Sequence, residues 1–262
     1  MYRLATGPRG IGQVLDAVLQ LFRASFRALL PFSIVGSLIS LVPIGYLFLT
    51  GALQIPDAAA PPAFGLGYWI SVLVTMPLTM IVLGAGIARG ESVAQGQPIG
   101  AGEATRRAAA RLATLVLAVI CFMLVVAIGT VLLIVPGVIL MVSLYMFLPA
   151  IMLDGKGIVE SLKYSHGLVW GNWWRTAATA TIALIIVYLL FFVVGIAAGL
   201  IFAVTGVDPA AIFLVQAITM LLGGLLITPF FVALYLEIYR DLKMRKLGSD
   251  LAARIETAGT GR

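Results

Sequence analysis

Six long apolar stretches govern what this chain can fold into. They run from Leu29 to Leu53, Leu66 to Ala88, Leu112 to Val135, Gly137 to Leu153, Thr176 to Val204 and Ala211 to Leu236. A helix needs about 20 apolar residues to cross the hydrocarbon core of a bilayer, and each stretch approaches or exceeds that length. Across all 262 residues 61% are apolar and 11% are charged, against roughly 45–50% and about 25% in soluble domains. A chain so poor in polar groups could not cover its surface in water. The expected fold is an all-α integral membrane protein with six transmembrane helices, residues 1–251 forming one membrane domain and residues 252–262 a disordered cytoplasmic tail.

The charges between the spans give the orientation. Arg3, Arg9, Arg23 and Arg27 precede the first span. Arg89, Arg106, Arg107 and Arg111 lie between the second and third, and Lys156, Lys163 and Arg175 between the fourth and fifth. Arg240, Lys243, Arg245, Lys246, Arg254 and Arg262 follow the last. The remaining connections, 54–65, the turn at Pro136–Gly137 and 205–210, contain no Lys or Arg and only Asp57 and Asp208 as charges. Basic loops stay on the cytoplasmic side, so both termini are expected in the cytoplasm. The amino terminus lacks the short apolar core and cleavage site of a signal peptide.

Each basic segment reads as an amphipathic helix lying in the membrane interface before its span. In the first, Ile11, Val14, Leu15, Val18, Phe22, Phe26 and Leu29 recur at three- and four-residue spacing, opposite Asp16, Gln20, Arg23 and Arg27. In the second, Glu103, Arg107 and Arg111 share one line. In the third, "SLKYSHGLVWGNWWRTA" (161–177), Trp170, Trp173 and Trp174 cluster where the chain turns inward and are expected as interface anchors, with Gly167 and Gly171 allowing a bend. Pro77, Pro149 and Pro229 sit in the three return spans. A pseudo-threefold repeat follows, each unit an interfacial helix, a span and a return span.

The stretches "IGQVLDAVLQLFRASFRALLP", "VAQGQPIGAGEATRRAAARL", "VPGVILMVSLYMFLPAIMLDGKGIVESLKYSHGLVWGNWWR" and "TPFFVALYLEIYRDLKMRKLGSDL" resemble the bacterial membrane domain of glycerophosphodiester phosphodiesterases. More distantly they are similar to YciC-type inner-membrane proteins. The resemblance spans about Arg9 to Leu251. It implies a six-helix module of the bacterial inner membrane; in the fused relatives a separate soluble domain supplies the phosphodiester chemistry, so it implies architecture rather than activity.

The residues themselves encode little chemistry. The single histidine, His166, and the eleven acids show no metal-ligand spacing, so no catalytic residue, metal or cofactor is expected. Cys121 lies inside an apolar run, and "GPRGIG" (7–12) lacks the strand and the Lys-Ser/Thr pair of a phosphate loop. Basic residues interleaved with membrane anchors make nucleic acid an improbable partner. The expected partners are membrane phospholipids of the anionic leaflet, met by Arg23, Arg27, Arg107, Arg111, Lys163, Arg175, Arg240, Lys243, Arg245 and Lys246. The expected function is non-catalytic binding, organisation or movement of lipids. The alternatives are an anchor or partner of a separately encoded enzyme, a membrane-embedded enzyme of glycerophospholipid turnover using His166, Asp154 or Glu160, and a small-solute transporter or channel. A separate soluble enzyme and a second copy of the chain are the protein partners this leaves open.

Overall fold

The computed structural model describes residues 2, 4, 7–51, 64–205 and 209–259, with backbone alone described for 190, 194, 197, 198, 201–205, 209–213, 216 and 249–259. Among these there are helices and no strands. They are α1 (Ile11–Leu49), α2 (Leu66–Ala94), α3 (Ala101–Ala110), α4 (Leu112–Leu132), α5 (Ile134–Leu144), α6 (Phe147–Asp154), α7 (Ile158–Val169), α8 (Trp173–Thr205) and α9 (Pro209–Gly259). Six segments are long and apolar enough to span: Ile11–Leu49, Leu66–Ala94, Leu112–Leu132, Ile134–Asp154, Trp173–Val193 and Ala217–Gly248. Their outward faces carry large exposed apolar residues such as Leu73, Val131 and Phe192, a surface suited to lipid and not to water. This is a multi-pass, all-α membrane protein.

The entries to the spans differ from the sequence expectation. The first amphipathic helix and the first span are one continuous helix, α1, because nothing between Ile11 and Leu30 breaks it and Pro31 and Pro43 are absorbed within it. Its apolar stripe is covered by protein: Val14, Val18, Leu21 and Leu29 are fully buried, and Phe22 packs edge-on to Phe230 of α9 at 6.4 Å. α3 and α4 meet at a single non-helical residue, Arg111. α7 is set off from α8 by the turn at 170–172, where Gly171 adopts φ 90°, a left-handed value open mainly to glycine. Gly167 stays inside α7. The three hairpins are present, but their entries are not repeats of one design.

Two boundaries move. α4 ends before extended Leu133, and Pro136 lies in the first turn of α5, where its missing N–H has no helical partner to lose. Gly137 is needed there for close approach, since a Cβ would come within 2.8 Å of the Thr130 backbone. At the other end α9 continues through Gly259, taking in most of the segment expected to be a disordered tail. "SDLAARIETA" is rich in good helix formers and has no proline. The connection around Asp57 and residues 206–208 lie outside the described residues.

The fourth span is broken. α5 stops at Leu144 and α6 starts at Phe147, with Pro149 in its first turn. α7 packs against α4, α5 and α6 and repairs the gap. Ser165 accepts the Met146 N–H at 2.9 Å and donates to the Ser143 carbonyl at 2.9 Å.

Candidate functional site at the basic end of the bundle

Near its basic end, α9 carries two buried acids one turn apart, Glu237 (2% exposed) and Asp241 (6% exposed). A four-residue step places both on one helix face, directed at the segment before α1. Glu237 accepts from Arg9 at 3.0 Å, from Arg240 at 2.8 Å and from the Tyr2 hydroxyl. Arg240 reaches on to Glu91 of α2 and donates to Tyr2 at 2.6 Å. Asp241 accepts the Arg9 backbone N–H at 2.8 Å, Arg175 of α8 at 3.1 Å and Arg245 at 2.9 Å. The Arg9 carbonyl in turn accepts from Arg175 and Arg245. Four arginines thus face three carboxylates, joining the N-terminal segment, α2, α8 and α9. Burial pushes the Tyr2 hydroxyl well above the ordinary tyrosine range, with its bond to Glu237 adding to the effect and Arg240 opposing it.

Beside this network lies a cavity of about 570 Å³ lined by Glu91, Asp154, Tyr239, Arg240, Lys243 and Arg107, among others. Asp154, which closes α6, accepts from Lys243 at 2.8 Å and from the Tyr239 hydroxyl at 2.6 Å. Lys243 also lies over the Tyr239 ring at 5.5 Å, and Lys156 over the Tyr164 ring at 5.2 Å. Burial and the neighbouring Asp154 carboxylate raise the Tyr164 hydroxyl. The cavity presents fixed charges of both signs, with Arg240 and Lys243 each already answered by an acid. That arrangement suits a zwitterionic or polar group better than a naked anion.

The basic residues expected to meet lipid therefore divide. Arg175, Arg240, Lys243 and Arg245 are held in ion pairs by acids of the same bundle end. Arg107 pairs with Glu103 at 2.9 Å, and Arg111 donates to the Ile151 carbonyl at 2.9 Å. Arg23, Arg27, Lys163 and Lys246 are exposed. Of the tryptophans, Trp170 (61%) and Trp174 (82%) project outward. Trp173 instead donates its indole N–H to the Ile139 carbonyl at 3.1 Å and packs inward. His166 lies against Trp170 at 4.9 Å, Glu160 pairs with Lys156 at 2.6 Å, and Asp154 is bound as described, so the three residues considered for catalysis do not bond one another. Among the described residues no three His, Cys, Asp or Glu side chains gather as a metal site.

A family described as a domain of unknown function, DUF7847, matches residues 63–242. The chain belongs to this family. No curated protein and no solved structure matches it. The DUF7847 segment contains Glu91, Asp154, Arg175, Glu237 and Asp241, whereas Tyr2, Arg9 and α1 lie outside it. The buried network therefore ties the family segment to the part of the chain that precedes it.

The sequence pointed to the basic residues and missed what answers them. In the sequence Arg9 is legible only as a charge before the first span, Glu237 and Asp241 only as part of the stretch "TPFFVALYLEIYRDLKMRKLGSDL", and Tyr2 and Glu91 not at all. The four-residue step from Glu237 to Asp241, with Arg240 between them and Arg245 one turn further on, is the available signal. Arg89, expected between the second and third spans, lies within α2, with Nε and Nη1 shielded from solvent and lacking a hydrogen-bond partner among the described residues.

Proposed function

We propose that the protein binds and organises membrane lipids without catalysing their turnover, in a bacterial inner membrane with its basic end in the cytoplasm. The observation that carries this reading is a lateral apolar groove lined by α1, α2 and the start of α3. It is lined by Pro31, Phe32, Val35, Ile39, Leu78 and Val82, with the start of α3 beside them. Val35 and Leu78 are strongly exposed, so the groove opens on the outer, apolar face of the bundle. Its volume of about 320 Å³ falls at the lower end of small-molecule pockets and suits an acyl chain. Exposed Arg23 and Arg27 and outward Trp170 and Trp174 supply the cationic and aromatic belt that holds such a bundle at the headgroup level.

The resemblance to the membrane domain of glycerophosphodiester phosphodiesterases supports a second reading, an anchor for a separately encoded enzyme. One observation favours it: the polar cavity at the basic end has exposed Leu4 and Leu247 among its lining residues, apolar contacts available to a soluble partner.

Native mass spectrometry of the protein released from mild detergent separates the two. A phospholipid retained at fixed stoichiometry through delipidation supports lipid binding. Protein emerging bare, together with a soluble hydrolase co-purifying from its native host, would replace that reading with the anchor.

A further inference from the structure

The guanidinium of Arg89 is the one described arginine with buried nitrogens left without partners, Nε and Nη1. Such a group costs free energy unless an anion answers it. Every nearby basic residue of the buried network has its acid; Arg240 alone holds both Glu91 and Glu237. Arg89 lies two residues before Glu91 on α2, a step that turns it to another side of the helix.

Helix register places Arg89 beyond the groove, on the face of α2 that lines it. Leu78, Val82 and Arg89 follow one another at four and seven residues, so they share a face of α2. Val82 lines the groove and lies against α1, where a Cβ on Gly36 would come within 3.2 Å of it. Arg89 lies two turns beyond Val82, about 10 Å along the axis, toward the basic end. On α1 the groove residue Pro31 is followed one turn toward the basic end by Arg27, which is exposed. The third wall is the start of α3, where Ala101, Gly102 and Thr105 line the groove. Gly100 caps α3 with no side-chain hydrogen bond, leaving the first-turn N–H groups open. Glu103, the acid in that turn, is turned to Arg106 at 2.6 Å and Arg107 at 2.9 Å.

We propose that the groove takes one acyl chain of an anionic glycerophospholipid and that Arg89, flanked by Arg27 and the start of α3, receives its phosphate. This rests on the lipid-binding reading above and adds a headgroup preference and the residue that sets it. The complement is specific: two helical turns beyond an apolar slot open to the membrane, Arg89 Nε and Nη1 have no acceptor among the described residues.

The test uses the full chain in mild detergent, offered dioleoyl phosphatidylglycerol, dioleoyl phosphatidylcholine or inorganic phosphate. The wild type is expected to prefer the anionic lipid by about tenfold, the scale of one charge-assisted hydrogen-bonding group. Arg89→Gln is expected to erase that preference while keeping the weaker retention of phosphatidylcholine. Val35→Trp, which fills the groove at an exposed position, is expected to lose both lipids. If Arg89→Gln fails to assemble, Arg27→Gln carries the same comparison, and a several-fold loss of preference supports the site. An unchanged preference in the Arg variants, with both lipids still lost in Val35→Trp, overturns the phosphate site and leaves lipid binding standing. Stabilisation by inorganic phosphate that survives Val35→Trp overturns it in favour of a free-anion site. Retention of neither lipid by the wild type removes the lipid reading itself, and this site with it.

Discussion

Ser165 completes the hydrogen bonding of Met146 across the break in the fourth span. The Met146 N–H donates to the Ser165 hydroxyl at 2.9 Å, and both residues are fully buried. An interrupted helix is tolerated at membrane depth only where protein satisfies the freed backbone groups, and here α7 does so. Ser165→Ala is expected to leave the Met146 N–H unsatisfied and to cost about 1–3 kcal/mol. Thermal unfolding in detergent reads the effect. Stability equal to wild type would mean that α5 and α6 close the gap without α7.

Glu237 sits where three donors converge, Arg9, Arg240 and Tyr2, and is almost inaccessible. Breaking a buried pair leaves an uncompensated charge, at a cost of about 3–5 kcal/mol. Glu237→Gln is expected to destabilise the fold on that scale and to release the segment around Arg9, seen as faster amide exchange at Arg9 and Gly10. Because the group is buried, added salt should change the effect little. A variant as stable as wild type, with Arg9 still protected, would show that Asp241, Arg175 and Arg245 hold the segment without Glu237.

The six spans were legible in the sequence, because a bilayer demands length and apolarity and little else can supply them. What covers each apolar face was not. The stripe from Val14 to Leu29 would look the same whether lipid or protein received it, and α9 receives it. The same ambiguity hid the inward role of Trp173. The break at Leu133 lay a few residues before the Pro136–Gly137 pair because proline is accepted in a first helical turn. The ion-pair network was beyond reach for a different reason: Arg9 and Glu237 are 228 residues apart, and local spacing says nothing about such a pair.

At the start of α7, the Lys156 ammonium and the Gly157 N–H hold the Glu160 carboxyl below the ordinary glutamate value of 4.5, and Glu160 holds Lys156 above 10.5. A lowered acid contributes stability above its unfolded pKa and loses it as pH falls through the native one; a raised lysine contributes below its unfolded pKa and loses it as pH rises through the native one. The start of α7 should therefore hold steady from about pH 5 to pH 10 and loosen on either side. Amide exchange at Gly157, with Glu160→Gln as reference, is the readout. Equal protection in both proteins at pH 7 would remove the role of the pair.

The tryptophans at the turn into α8 make opposite predictions from adjacent positions. Trp174 projects outward, whereas Trp173 donates to the Ile139 carbonyl at 3.1 Å and is half-buried. In variants retaining one tryptophan each, lipids carrying a quencher near the headgroup should quench Trp174 and Trp170 strongly and Trp173 weakly. Trp173→Phe removes the indole donor and some packing area, for a loss of about 0.5–1.5 kcal/mol from the hydrogen bond, while Trp174→Phe should leave stability unchanged and weaken membrane anchoring. Equal quenching of Trp173 and Trp174 would place both rings in lipid and would mean that the contact between α5 and the start of α8 does not persist in the membrane.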